Sequence, residues 1–339
     1  VAHAAAVAAW LSTTGELPCN VKVLVEGEEE IGSPHLAEFL TAHVEELAAD
    51  ALVLADAGNW AVGTPAITYA LRGLAGLDVT VRALRGPVHS GLAGGVAPDP
   101  VLALARALAT LVDERGEVAV PGVADDVRPL TAEERARLDA LDHGEDRFRA
   151  DFGVVDGADL LGRPERTLGE RLWFRPAVTV IGFDSHPIAG SSNQVVARAS
   201  ARLSVRLAPG QDPARVTAVL ADHLRAHVPW HLEVVTEPQE AAPAWVCEPS
   251  GWAFAATQRA LRAGFGTEPV LMGMGGSIPF VGPFAEAFGG IPALLLGPAD
   301  PTSAIHGEDE SVHLPDWHRL IASEIHLLAE LAAARPTDR

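Results

Sequence analysis

An alternation of strand-like and helix-like segments over the first 73 residues constrains this chain more than any other feature. VKVLVEG (21–27) has the length and β-branched content of a buried strand. Behind it, Ser33 and Pro34 supply an N-cap and a favoured first helical residue, and Leu36, Phe39, Leu40, Val44 and Leu47 follow at helical spacing. ALVLAD (51–56) and ITYALRG (67–73) read as the next two strands. Strand, helix and strand in alternation predict an α/β domain with a largely parallel sheet, because parallel neighbours need a crossover and helices cover both faces. Ahead of this pattern, the Ala-rich stretch Ala2 to Thr14 with Gly15 after it reads as a helix end and its cap.

From about Asp78 the pattern changes. DVTVRAL alternates apolar and polar residues, as a half-exposed strand does. Helical spacing returns over 98–111. Residues 114–169, rich in Asp, Arg and Gly, read as an insertion with one capped helix, Thr131 and Glu134 forming its capping box. AVTVIGF, VVARASARLSVRLAP and HLEVVTEP then alternate around a helix over 213–227. The expected result is a small antiparallel sheet with helices on one face, a second domain inserted into the first. After about Pro238 the first pattern resumes, with a helix over 251–262, a short strand before the GMGGS loop, the strand PALLLG and a closing helix from Pro315. The predicted division is 1–76 and 239–339 for the α/β domain and 77–238 for the insert. With 339 residues, two domains also match the roughly 100–200 residues usual per domain.

Composition excludes several classes. Hydrophobic residues make up 48% and charged residues 21% of the chain, which is ordinary for a globular protein. The formal net charge of −20 repels nucleic acid and anionic membranes alike, so neither is an expected partner. No apolar run reaches the ~20 residues of a membrane span. Cys19 and Cys247 are the only cysteines, too few for a disulfide framework and in keeping with a reducing, cytoplasmic setting.

In open α/β sheets ligands bind beyond the carboxyl ends of the strands. Three such places carry polar residues here. VKVLV runs into Glu26-Gly27-Glu28-Glu29-Glu30, ALVLA ends in Asp56, and PALLLGPADPTSAIHGEDE delivers His306. Carboxylates and an imidazole together form a donor set for zinc or another divalent cation. Taken alone, the acidic run equally suits the N-terminus of the helix behind it.

Five motifs in order, EGEEEIGS, LADAGNW, RGPVHSG, GGSIP and IHGEDES, resemble the dinuclear-zinc peptidases that include aminoacylase, carnosine dipeptidase, glutamate carboxypeptidase and succinyl-diaminopimelate desuccinylase. The resemblance spans nearly the whole chain apart from 114–169. It implies a zinc-peptidase catalytic domain with a mostly parallel mixed sheet, and an inserted α+β, ferredoxin-like domain serving as lid and dimerisation element of a homodimer. It implies two divalent metal ions, most readily zinc, with manganese or cobalt as alternatives. Glu29 matches the family's general base, Glu30 and His306 the ligands of one metal, and Asp56 a ligand of the other. His89, in VHSG, matches the histidine that one subunit lends to its partner's active site. Asn193 and Arg206 match positions that bind the substrate's terminal carboxylate, a task suited to arginine's planar fork. Ser277 matches a loop that approaches the substrate.

Two departures temper the picture. The family's earlier His-x-Asp motif and the aspartate bridging both metals have no counterpart here, so the resemblance implies a chain truncated at its N-terminus. Such a piece is expected to bind metal poorly and to be inactive by itself, and a signal peptide could precede it. Carnosine-type dipeptidases also carry Arg-Glu before Gly-Gly-Ser, where this chain has Gly273 and Met274. Loss of that carboxylate leaves open whether the substrate is a dipeptide or an N-acyl amino acid. The expected activity is therefore amide hydrolysis by a metal-activated water, as a dipeptidase or a deacylase. A metal-free scaffold of the same fold is the alternative from another class.

Overall fold

The structure is a computed structural model that describes residues 1–125, 127–141, 144–278 and 280–335, without the side chains of Glu30 and Glu286. Among the described residues the strands are, in chain order, β1 (Leu52–Leu54), β2 (Ala66–Leu71), β3 (Gly73–Arg82), β4 (Val88–His89), β5 (Ala177–Asp184), β6 (Gln194–Val195), β7 (Arg198–Leu207), β8 (Glu233–Ala242), β9 (Trp245–Val246), β10 (Val270–Met274) and β11 (Ala293–Leu295).

The apolar runs build one mixed sheet in the order β1-β11-β2-β10, with β9 added to β2. β1 and β11 run parallel, as do β2 and β10, while β11 and β9 meet β2 antiparallel. All six residues of β2 are buried, as a central strand covered on both faces requires. One face packs Ile67 and Leu294 against Phe254 and Leu261 of the helix Trp252–Phe265 and Leu320 of the closing helix Leu314–Ala334. The opening helix Ala2–Thr14 lies on that closing helix and ends at Gly15, whose φ of 80° is left-handed. On the other face, Tyr69 packs with Trp173, Phe174 and Met272.

The alternating segments build a second, antiparallel sheet in the order β5-β7-β3-β8. With the helices Pro100–Ala109 after β3 and Pro213–His227 after β7, the chain runs β-α-β-β-α-β, and the strand order is that of a ferredoxin-like fold. Asp99 and Asp212 cap the two helices through their side chains, each followed by a proline at the first helical position. Leu104, Leu220 and Leu224 from these helices join Leu77, Val79, Leu203 and Val205 in one core. Truncating a fully buried leucine such as Leu77 to alanine would cost about 2–5 kcal/mol.

A single residue, Arg72, separates β2 from β3, and two separate β8 from β9. The two connections touch. A Cβ on Gly73 would lie 2.7 Å from both the Ala242 carbonyl oxygen and the Ala244 nitrogen, so only glycine fits there.

Three expectations need correction. Residues 21–27 form no strand: no described strand pairs with them, and Val23 and Val25 are 68% and 86% exposed. An apolar, β-branched run without a ladder partner has neither a hydrogen-bonded edge nor a buried face to hold it. The following helix starts not at Pro34 but at Leu36, after Ser33 with φ 48°, and breaks at His43 into Leu36–Ala42 and Val44–Leu47. Leu36 and Leu40 reach the core and Phe39 and Val44 do not. Finally, among the described residues 114–169 contains two helices rather than one, Ala132–Leu141 and Glu145–Asp151, and a third, Leu168–Trp173, begins at its end. The Thr131 and Glu134 box forms as expected, with bonds of 2.8 and 3.1 Å. TLGE at 167–170 carries the same signature, and Thr167 accepts from the Glu170 amide at 3.2 Å.

Candidate active site

A cleft of about 1700 Å³ opens beyond the strand ends of the mixed sheet and brings together Glu29, Asp56, Arg206, Ser277 and His306. Asp56 follows β1 by two residues, and the loop after the parallel neighbour β11 carries His306. That loop holds Ala304, His306 and Asp309 at φ of 51°, 60° and 60°. Three left-handed non-glycine residues in six store strain of order 1–3 kcal/mol each, a cost that gathers at functional loops. The His306 amide donates to a Glu310 carboxylate oxygen at 3.0 Å, which pins the turn.

Glu29 begins a single 3-10 turn, Glu29–Ile31, closed by the left-handed Gly32 donating to the Glu29 carbonyl at 2.9 Å. The turn sorts the acidic run. Glu28 faces the His35 ring at 2.8 Å and Glu26 accepts from the Glu28 amide at 2.9 Å, whereas Glu29 lines the cleft. The side chain of Glu30 lies outside the described residues.

Arg206, in β7 opposite Leu74, donates through Nη1 to the Ser277 hydroxyl at 3.2 Å, and that hydroxyl donates to the Arg72 carbonyl at 2.7 Å. Burial lowers the Arg206 pKa, with Glu240, also on the cleft wall, acting against the fall. Arg72 is a residue the sequence reading passes over. Burial first, and repulsion from Arg206 second, bring its pKa down to about 10. A cation ending the otherwise apolar run ITYAL was the available signal. Asn59 was also passed over. The residue is 4% exposed, its Nδ2 has no hydrogen-bond partner among the described residues, and it lines the cleft three residues beyond Asp56.

His89 and Asn193 do not reach this cleft. They sit side by side on a two-stranded ribbon in which β4 pairs with β6 and the Ser90 amide donates to the Asn193 carbonyl at 2.9 Å. Both are exposed. His89 Nδ1 accepts from the Gly91 amide at 3.0 Å, so the proton of the neutral ring belongs on Nε2, as a donor. Around the ribbon, Leu92, Val96 and Ile188 are 88%, 91% and 94% exposed.

The donor types in the cleft, carboxylate oxygens and one imidazole, suit zinc and its neighbours. Among the described residues, however, no three His, Cys, Asp or Glu side chains converge closely enough to hold an ion. Asp56 and His306 thus fit the chemistry of a divalent site without completing one. No described helix is long and apolar enough to cross a membrane.

Known proteins resemble this chain in sequence and fold. Residues 69–232 match the peptidase dimerisation domain model of the M20 peptidases. Cysteinylglycine-S-conjugate dipeptidase of Corynebacterium striatum is 34% identical over 316 residues, covering 93% of this chain and 68% of that protein. The crystal structure of human carnosine dipeptidase 1 superposes with a TM-score of 0.84 at 26% identity, covering 98% of this chain and 71% of that one. An M20 family metallo-carboxypeptidase from Sulfolobus solfataricus gives 0.84 at 28% identity, with 98% and 75% covered. The chain thus spans about two thirds to three quarters of these relatives. A mixed catalytic-type sheet, a ferredoxin-like insert matching a peptidase dimerisation domain, and a third of the residues shared with a dipeptidase lead to one assignment: the chain belongs to the M20 family of metallopeptidases.

Proposed function

We propose that this chain hydrolyses the amide bond of a dipeptide or a closely related N-acyl amino acid, with divalent metal ions, zinc foremost and manganese or cobalt as alternatives, as cofactors. The observation that carries the reading is the meeting of Glu29, Asp56 and His306 with Arg206 and Ser277 on one cleft. Relatives named dipeptidases support the substrate class.

Glu30, Asp56 and His306 would hold the ions, which when bound polarise a carbonyl and acidify water. Glu29 takes the proton from the attacking water and passes it to the leaving amine. Arg206 receives the substrate's terminal carboxylate through paired hydrogen bonds, its position set by Ser277. His89 and Asn193 do not line their own cleft. As a pair they serve the partner's, His89 donating from Nε2 to the developing oxyanion. This gives 77–238 the role of lid and dimerisation domain, 1–76 and 239–339 that of the catalytic domain, and makes the working unit a homodimer of the cytoplasm.

A deacylase is the second reading, and one contact favours it. Gly273 and Met274 stand before the glycine loop, and Trp173 fills the space beside Gly273. No carboxylate side chain from these positions meets a substrate's free amino group. Comparing a dipeptide with its N-acetylated form separates the readings. Turnover of the free dipeptide supports the first, and turnover of the blocked form alone rejects it.

A further inference from the structure

Arg72 connects β2 to β3, and every hydrogen bond described for it goes to the glycine loop. Its amide donates to the Met274 carbonyl at 3.2 Å, its carbonyl accepts from the Ser277 hydroxyl at 2.7 Å, and its Nε donates to the Gly275 carbonyl at 3.3 Å. The guanidinium lies against the loop, with Nη2 only 3.0 Å from where a Cβ on Gly275 would be. Among the described residues no carboxylate offsets its charge, and the charge acting on it is that of Arg206. Two half-buried guanidiniums therefore share one hydroxyl group's neighbourhood, Arg206 on the cleft side and Arg72 behind it. A buried charge without a counterion is costly. Glu240 offsets part of the Arg206 charge and none of the Arg72 charge, and an anion arriving from the cleft relieves the pair further.

We propose that Arg72 is a positioning residue for substrate binding: its positive charge, held behind Ser277 by the glycine loop, orients Arg206 and adds to the attraction for the substrate's terminal carboxylate. The inference rests on the reading of Arg206 as the carboxylate anchor. A residue that merely braced the loop would affect all ligands alike, whereas this role discriminates between a carboxylate and its neutral amide.

The test measures binding of alanyl-leucine and of alanyl-leucine amide by calorimetry, and reads the ratio of their dissociation constants. Wild type is expected to favour the carboxylate. Arg72→Gln is expected to reduce that preference about tenfold, equal to the ~1.4 kcal/mol of a tenfold change, with affinity for the amide little altered. Arg72→Lys, which restores the charge, is expected to recover part of the preference. A Gln variant with wild-type preference, or a Lys variant no better than Gln, overturns the proposal. If the Gln variant does not fold, Arg206→Gln decides. It should retain a residual preference for the carboxylate supplied by Arg72, and a ratio of one would overturn the role. Failure of the underlying reading has a different signature, a wild type that binds both ligands equally.

Discussion

Trp173 lies across the backbone of Gly273, so close that a Cβ on residue 273 would fall 2.7 Å from the indole's own Cβ and Cγ. The contact joins β10 of the mixed sheet to the helix Leu168–Trp173, placing part of 114–169 on the wall of the cleft. Gly273→Ala should therefore overpack the site and cost roughly 1–3 kcal/mol, seen as a lower Tm. In the Trp173→Ala background the same change should cost much less. A purely additive double variant in thermal denaturation would show that the two positions do not compete for space.

Glu29→Gln keeps the shape of the side chain and removes its ability to accept a proton. In a preparation that turns over a dipeptide, kcat should fall by about two to four orders of magnitude while KM changes little. Wild-type kcat with metal content unchanged would mean that another group takes the proton.

His89 and Glu29 belong to different active sites if the ribbon β4-β6 reaches across a dimer. Mixing His89→Ala protein with Glu29→Gln protein should then regain activity, since one cleft in each heterodimer has both residues intact. Subunit exchange proven by labelling, with no recovered turnover, would place His89 outside the reaction.

Arg206→Lys retains a charge and loses the planar fork. We expect KM for a free-carboxylate substrate to rise by about one order of magnitude, the loss of one strong bidentate pair. The amide or ester of the same substrate should be hydrolysed as before. Equal losses on both would assign Arg206 a structural task.

Much of this was legible in the chain. The period-two pattern of 78–84 and of the run that includes 198–207 gave the inserted sheet, and helical spacing over 98–111 and 213–227 marked its helices to within about two residues. Asp56 and His306 were legible at the cleft because strand ends are where such folds bind ligands, whereas Glu29 came from the motif EGEEEIGS, since the strand expected before it does not form. Residues 21–27 misled because apolar periodicity reports what a segment could bury and not whether a neighbouring strand is present. Arg72 was hidden for a related reason. A lone cation at a strand end resembles an ordinary solvated terminus, and only the three-dimensional return of residues 274–277 shows that it is covered. His89 and Asn193, 104 positions apart in number, became neighbours through pairing between two-residue strands too short to carry a periodic signal.

Gly73, pressed between Ala242 and Ala244, gives the larger unit a simple topological status. From the viewpoint of the mixed sheet, everything from β3 to β8 is one long excursion whose exit and return are the same doorway. Such an excursion can be lengthened, replaced or lost in evolution without re-threading the sheet, since the stump left behind is already closed. The same doorway is occupied by Arg72, so any lineage that exchanges the excursion must reconnect through the residue that braces the glycine loop.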